Sequence, residues 1–154
     1  MEIILANIED AEQILTLQKL AYQREAEIYQ DFSIPPLTQT IEKIKEEFEN
    51  QIFLKATDGK KIIGSVRAYS ENDSCFIGRL IVHPEWQGKG IGTMLMENIE
   101  TCFENIQRYE LFTGIKSVRN IQLYNRLGYS SFKEQKINKF LSLIFMEKIS
   151  VIIT

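Results

Sequence analysis

The stretch "IVHPEWQGKGIGTMLM" (residues 81–96) sets three of the chain's eight glycines, Gly88, Gly90 and Gly92, within five positions, directly before an apolar run. Each glycine costs backbone entropy on folding, so a plain strand-to-helix turn accounts for one of them and poorly for three. A phosphate loop of the G-x-x-x-x-G-K-[ST] type needs Ser or Thr after its Lys, and here Gly90 follows Lys89. A dinucleotide fingerprint G-x-G-x-x-G begun at Gly88 has Thr93 where its last glycine belongs. What alternate glycines do supply is a run of backbone N–H groups that a ligand can approach without meeting Cβ atoms. At a helix N-terminus, where the dipole is positive, such groups form a site for an anion such as pyrophosphate.

Working outward, the residues before the loop alternate with period 2. "QIFLKAT", the turn "DGK" and "KIIGSVRAYS" read as a hairpin, and "SCFIGRLIV" (74–82) as a third strand ended by Pro84. Earlier still, "EIIL" (2–5) is a short strand. Asp10 with Gln13 predicts a capped helix start, with Ile14, Leu17, Ala21 and Ile28 along one stripe. "DFSIPPL" (31–37) interrupts that helix, and Thr38 is expected to cap a second one that buries Ile41, Ile44 and Phe48. After the loop, Ile91, Leu95, Ile99, Cys102, Phe103 and Ile106 fall on one face of a helix running from Gly90 to about Asn105. "YELFTG" is a buried strand. "SVRNIQLYNRLGY" is a helix with Ser117 as N-cap and Gly128 as its stop, and "YSSFKEQKI" and "LSLIFMEKI" are closing strands. The order β-α-α-β-β-β-α-β-α-β-β describes one α/β domain over residues 1–154 with a mixed sheet.

Composition narrows the function. A hydrophobic fraction of 44% and a charged fraction of 25% are those of an ordinary globular chain, and no run approaches the ~18 apolar residues of a membrane span. The N-terminus lacks a signal peptide's basic and apolar regions. Two cysteines and one histidine make neither a disulfide framework nor a metal cluster, so the expected location is cytoplasmic and no metal is expected. A net charge of −3 gives no general attraction to nucleic acid. Its distribution is uneven: residues 1–50 carry eleven acidic and four basic side chains, the remainder ten and fourteen. An acidic first third and a basic remainder point to two ligand faces of opposite preference.

Gln87-Gly88-Lys89-Gly90-Ile91-Gly92 resembles the [RQ]-x-x-G-x-[GA] loop of the GNAT N-acetyltransferase superfamily. "LIVHPEW" before it is similar to that family's fourth strand and its exit. "NIQLYNRLGY" (120–129) resembles the second acetyl-CoA element, with Asn120 thirty positions after Gly90. The resemblance extends over essentially the whole chain. It implies a GNAT-like, mostly antiparallel twisted sheet flanked by helices, and acetyl-CoA as cofactor. Backbone groups from Gln87 through Gly92 to Thr93 would hold the coenzyme A pyrophosphate. Leu80, Ile81 and Val82 would line the pantetheine arm, with Leu80 and Val82 pairing to it as to an added strand. Lys89, Arg119 and Arg126 are candidates for its phosphates. Asn120 would contact the cofactor, and Tyr124, one turn on, would be the general acid.

Acetyl transfer to an amine requires a polarised thioester carbonyl, a stabilised thiolate and a neutral amine. A Tyr hydroxyl near pKa ~10 facing a thiol near ~8.5 gives up its proton at a cost of roughly 2 kcal/mol, so a hydrogen bond that strengthens in the transition state suffices. A Lys-like amine is neutral in only about one molecule in 2,500 at pH 7, which calls for a base. The fourth strand holds no carboxylate and the fifth only Glu110, while His83 lies in a turn. Glu25, Glu27 and Asp31 form the better pool. On a helix continuing through this segment, Glu25 lies roughly 40° from the inward stripe and Glu27 about 110° away, so Glu25 is the expected base. The predicted acceptor is a small-molecule or peptide amine, favoured as a cation by the acidic first third. Direct transfer in a ternary complex is the expected route, and the absence of a Cys/His pair at convincing spacing argues against an acetyl-enzyme. The alternative is a non-catalytic acyl-CoA-binding or sensing module on the same fold, and a homodimer joined through its strands is compatible with either.

Overall fold

In a computed structural model, described here over residues 1–150, the chain forms one seven-stranded sheet with helices on both faces. The strands are β1 (Glu2–Leu5), β2 (Ile52–Asp58), β3 (Lys61–Glu71), β4 (Ser74–Val82), β5 (Arg108–Gly114), β6 (Ser130–Lys136) and β7 (Ser142–Ile149). The helices are α1 (Ala11–Tyr29), α2 (Pro35–Thr38), α3 (Ile41–Asn50), α4 (Ile91–Thr101) and α5 (Val118–Arg126). Sheet order is β1-β2-β3-β4-β5-β7-β6, antiparallel everywhere among the described residues except between β4 and β5.

Strand alternation sends neighbouring side chains to opposite cores. Leu54, Ile63 and Val66 join Leu95, Met96 and Ile99 of α4 and Tyr124 of α5 on one face. Phe53, Ile62 and Ile81 join Ile14 and Leu17 of α1 and Ile44 of α3 on the other. Arg67 of β3 points to this second face and is 3% exposed. Its Nε lies 2.8 Å from Glu47 Oε2 in a charge–charge contact that is not a linear hydrogen bond. Its Nη2 donates to Gln18 Oε1 (3.0 Å) and Gln39 Oε1 (3.1 Å). Burial lowers the Arg67 pKa to about 10, with the Glu47 charge opposing the fall.

Local details differ from the sequence expectations at element ends. The reciprocal cap forms before α1: Asn7 Oδ1 accepts from Glu9 N (2.9 Å) and Asp10 Oδ2 from Asn7 N (3.0 Å), so Gln13 takes no part. Ile28 does not continue the buried stripe, being 37% exposed, while Ala26 and Tyr29 turn inward in its place. The helix stops at Gln30, whose φ is +52°. The Pro-Pro pair starts α2 in place of excluding helix, because Pro at the first helical positions has no needed N–H to lose. Thr40, two residues after the expected Thr38, caps α3 by accepting from Lys43 N (3.2 Å). Helix α4 ends at Thr101 with Cys102 as its C-cap, so Phe103 and Ile106 pack from the following loop.

Candidate active site

Strands β4 and β5 pair only over Ser74–Phe76 and Arg108–Glu110, and both then continue without each other, β4 to Val82 and β5 to Gly114. The divergence leaves the β5-facing edge of β4 without a strand. The direction of its polar groups follows from the β3 ladder. His83 N donates to Ile63 O (2.8 Å), so Val82, opposite Gly64, turns its own N–H and C=O away from β3. By the same alternation Ile81 bonds toward β3 and Leu80 faces the gap.

At one end of the gap lies the glycine loop. Gly88 (φ +78°) and Gly90 (φ +82°) both adopt the left-handed conformation that favours glycine, and Gly90 is the N-cap of α4. Gly92 does not: it sits in the first turn of α4, and a Cβ there would meet Leu123 at 3.4 Å, an ordinary contact. The first backbone bond of α4 runs from Met94 N to Gly90 O (3.1 Å), so the N–H groups of Ile91, Gly92 and Thr93 have no partner within the helix. Arg119 Nη1 reaches Gln87 Oε1 (3.2 Å), and Lys89 Nζ lies 5.4 Å from the Trp86 ring centre. Both cations therefore border the loop. Arg126 is exposed on the last turn of α5 and makes no hydrogen bond or ion pair among the described residues.

The other end opens into a cavity of about 290 Å³ between α1, β4, β5 and α5. Tyr124 lines it and is 6% exposed. Burial first, then the nearby Tyr22 and Glu25, hold its hydroxyl well above the ordinary tyrosine range, so it remains protonated at working pH. Asn120, one turn earlier, also lines the cavity, and its Nδ2 donates to Thr113 Oγ1 (3.3 Å). Glu25 faces the same space from α1, whereas Glu27 is exposed. Ser117 occupies the N-cap of α5 without capping it. Its Oγ donates to Glu25 Oε2 (2.6 Å) and contacts the Tyr29 hydroxyl (2.9 Å), which also accepts from Lys116 N (2.9 Å). Gly114 admits Tyr29, since a Cβ there would overlap the hydroxyl. Three other candidates lie elsewhere. Glu110 is ion-paired to Arg108 (2.8 Å), His83 Nδ1 accepts from Glu85 N (3.1 Å) in a turn, and Asp31 binds Ser33 and Asn138.

Sequence reasoning missed Tyr22, Tyr29, Ser117 and Arg79 as cavity residues or their supports. Tyr22 and Tyr29 stand three before and four after Glu25, so the helical face that selects Glu25 selects them too. For Arg79 no such signal exists, because a bulge sets its direction.

A model of the acetyltransferase (GNAT) family matches residues 12–129. The chain belongs to the GNAT acetyltransferase family. Among curated relatives it is 29% identical over 126 residues to the UPF0157 protein YqkA of Bacillus subtilis, covering 82% of this chain and 36% of that protein. It is 29% identical over 105 residues to the uncharacterized N-acetyltransferase ycf52 of Gracilaria tenuistipitata, covering 63% of this chain and 56% of that one. The chain thus spans between about a third and just over half the length of these relatives. Among solved structures, the PaiA N-acetyltransferase of Thermoplasma acidophilum, in complex with coenzyme A, superposes with a TM-score of 0.79 at 19% identity over 97% of this chain and 100% of that one. The GNAT fold and its order of elements are therefore those expected from the sequence. No helix of the described residues is long and apolar enough to cross a membrane, and no metal-holding cluster occurs among them.

Proposed function

We propose that the protein is an acetyl-CoA-dependent N-acetyltransferase that moves the acetyl group to a primary amine by direct transfer in a ternary complex. The observation that carries this reading is a buried, protonated hydroxyl, Tyr124, in a cavity continuous with an unpaired strand edge. Pantetheine contains two amides that the free groups of Leu80 and Val82 can satisfy as an added strand would. The N–H groups of the loop, with Lys89 and Arg119 beside them, suit its pyrophosphate. In the neighbour from Thermoplasma acidophilum, coenzyme A is the bound molecule.

The acceptor nitrogen attacks the thioester carbonyl carbon. The C–N bond forms, the C–S bond breaks, and the sulfur leaves as thiolate with Tyr124 donating to it. Because burial raises the Tyr124 pKa, full proton transfer is costlier than between free groups, and the hydroxyl acts mainly as a donor whose bond strengthens as charge builds on sulfur. The proton lost by the amine goes to Glu25, oriented by Ser117. An acetyl-cysteine route has poor support: burial pushes the Cys75 thiol up to about 12, and Cys102 is raised by burial as well.

Tyr124→Phe keeps the ring and removes the donor. The expected result is a fall in kcat of roughly 10²-fold with coenzyme A affinity retained, measured by thiol release over a panel of amines. An unchanged kcat at saturation removes Tyr124 from the chemistry. Coenzyme A binding without turnover of any amine favours a non-catalytic acyl-CoA sensor.

A further inference from the structure

The cavity wall holds one cation, and no carboxylate among the described residues is bonded to it. Arg79 lies on β4 at a point where the β3–β4 register slips: between the pairs Arg67–Gly78 and Ser65–Ile81, two residues of β4 (Arg79 and Leu80) stand opposite one of β3 (Val66). Its φ is +50°, a left-handed conformation unusual for a non-glycine residue. Bulges of this kind re-aim a side chain out of the strand's alternation, and here Arg79 lines the cavity. The other guanidinium groups in the sheet are neutralised: Arg67 by Glu47 (2.8 Å), Arg108 by Glu110 (2.8 Å) and Glu147 (2.9 Å). Arg79 forms no ion pair among the described residues, and its Nε is buried without a hydrogen-bond partner. Arg67 lies close enough that the two like charges oppose each other. Burial raises the pKa of the nearby Tyr22 hydroxyl, and the charge of Arg79 and its hydrogen bond to that hydroxyl partly offset the rise, so the partner of Arg79 on the cavity side is a neutral group.

Among the cavity-lining residues Glu25 and Arg79 are the charged ones, one of each sign, and the remaining wall is largely apolar. A simple amine would leave the half-buried Arg79 without a counter-charge in the cavity, beside the like charge of Arg67 and with its Nε buried and unpartnered. From this geometry we infer that the acceptor is a compact zwitterion: an amine presented toward Glu25, a carboxylate bound by Arg79, and an apolar body against the remaining wall. The chemical class is that of an apolar α-amino acid. The inference rests on the transferase reading above and deepens it. It is also compatible with the acidic first third of the chain, since the ammonium end is still a cation.

Matched acceptors test it in the unmodified protein. L-Leucine, L-leucinamide and 3-methylbutylamine share an amine and an apolar body, and only the first carries a carboxylate; phenylalanine and methionine with their amides extend the set. The kcat/KM for the carboxylates should exceed that for the amides and plain amines by roughly tenfold or more, expressed mainly in KM, as expected of a charge-assisted hydrogen bond. The amides deprotonate more readily, so that bias runs against the expected order. In Arg79→Gln the ratio of leucine to leucinamide should collapse to one or below, and Arg79→Lys should restore part of it; 3-methylbutylamine, whose amine deprotonates less readily than that of leucine, is compared only through the change in its ratio between wild type and variant. Equal efficiency of acids and amides in the unmodified protein, or a preference that survives in folded Arg79→Gln, overturns the inference. Turnover of polyamines or peptide amines with none of the amino acids overturns it too, and leaves the transferase reading standing. Failure of every amine overturns both.

Discussion

Gly90→Val separates backbone conformation from ligand contact in the glycine loop. Gly90 has φ +82° and ψ 7°, and a Cβ built on it meets no atom within 4 Å. The substitution therefore introduces no clash, and its whole cost is conformational. A β-branched residue held in the left-handed region is destabilised by about 2 kcal/mol relative to glycine. If the loop keeps its shape, the cost appears in the folded protein and the melting temperature falls by roughly 4–8 °C. If the loop relaxes, the free protein melts nearly as before, and coenzyme A must restore the conformation, weakening its affinity by about 30-fold. Calorimetric titration with coenzyme A and a thermal melt measure the two parts, whose sum should stay near 2 kcal/mol. Gly92→Ala is the control. Its site needs no positive φ, the nearest contact of its Cβ is 3.4 Å, and alanine within a helix is favoured by up to about 1 kcal/mol. A Gly90→Val protein that both melts and binds like the wild type would refute the reasoning.

Glu25→Gln should lower kcat/KM most at low pH, leaving a rate that rises about tenfold per pH unit as the free amine deprotonates, with Glu27→Gln as a near-neutral control; matching pH–rate profiles for wild type and Glu25→Gln would remove Glu25 as base. Asp31→Asn tests a tie between the end of α1 and the β6–β7 turn, because Asp31 binds Ser33 after α1 and accepts from Asn138 Nδ2 (3.3 Å) in that turn. The Ser33 hydroxyl, then its N–H, hold the Asp31 carboxyl below its ordinary 3.8, so its contribution is complete above that value and is lost as pH falls through the lower folded one. The melting-temperature gap between wild type and Asp31→Asn should therefore close on acidification, and a gap constant with pH would count against the tie.

Strand β4 and the loop were legible in the sequence because their signals are local. Pro84 ends the strand, and Gly88 and Gly90 mark left-handed positions. Glu25 was placed on the inner face of α1 by helical periodicity alone, and it does line the cavity. Signals shared between distant segments were hidden. Ser117 looks like an ordinary N-cap, yet its hydroxyl serves Glu25, 92 residues earlier, because α5 starts against α1. Ile28 carries the right spacing for the buried stripe, but α1 has passed the edge of the second core by then and ends two residues later at Gln30. Arg79 was the hardest to read. Strict alternation along "SCFIGRLIV" puts it on the same face as Ile77 and Ile81, and the bulge between these residues breaks the rule.

That bulge also bears on why the site exists at all. An all-antiparallel meander would zip each strand to its neighbour along its length and leave no cleft in mid-sheet. Here β4 and β5 run parallel and share only three residue pairs, Ser74–Phe76 with Arg108–Glu110. Beyond them the register slip at Gly78–Ile81 turns β4 away as β5 proceeds to Gly114. Leu80 and Val82 are left with polar backbone groups that a strand would otherwise satisfy. An unmade backbone hydrogen bond costs about 1–3 kcal/mol when buried, and an exposed strand edge invites pairing with another chain. The half-buried setting of Leu80 and Val82 lets water serve these groups in the free protein. Residues of α1 and α5, Tyr22 and Glu25 with Asn120 and Tyr124, line the cavity into which the gap opens. On this argument the interrupted pairing is the feature that binds, and the proposed pantetheine arm completes the sheet where the protein's own strands part.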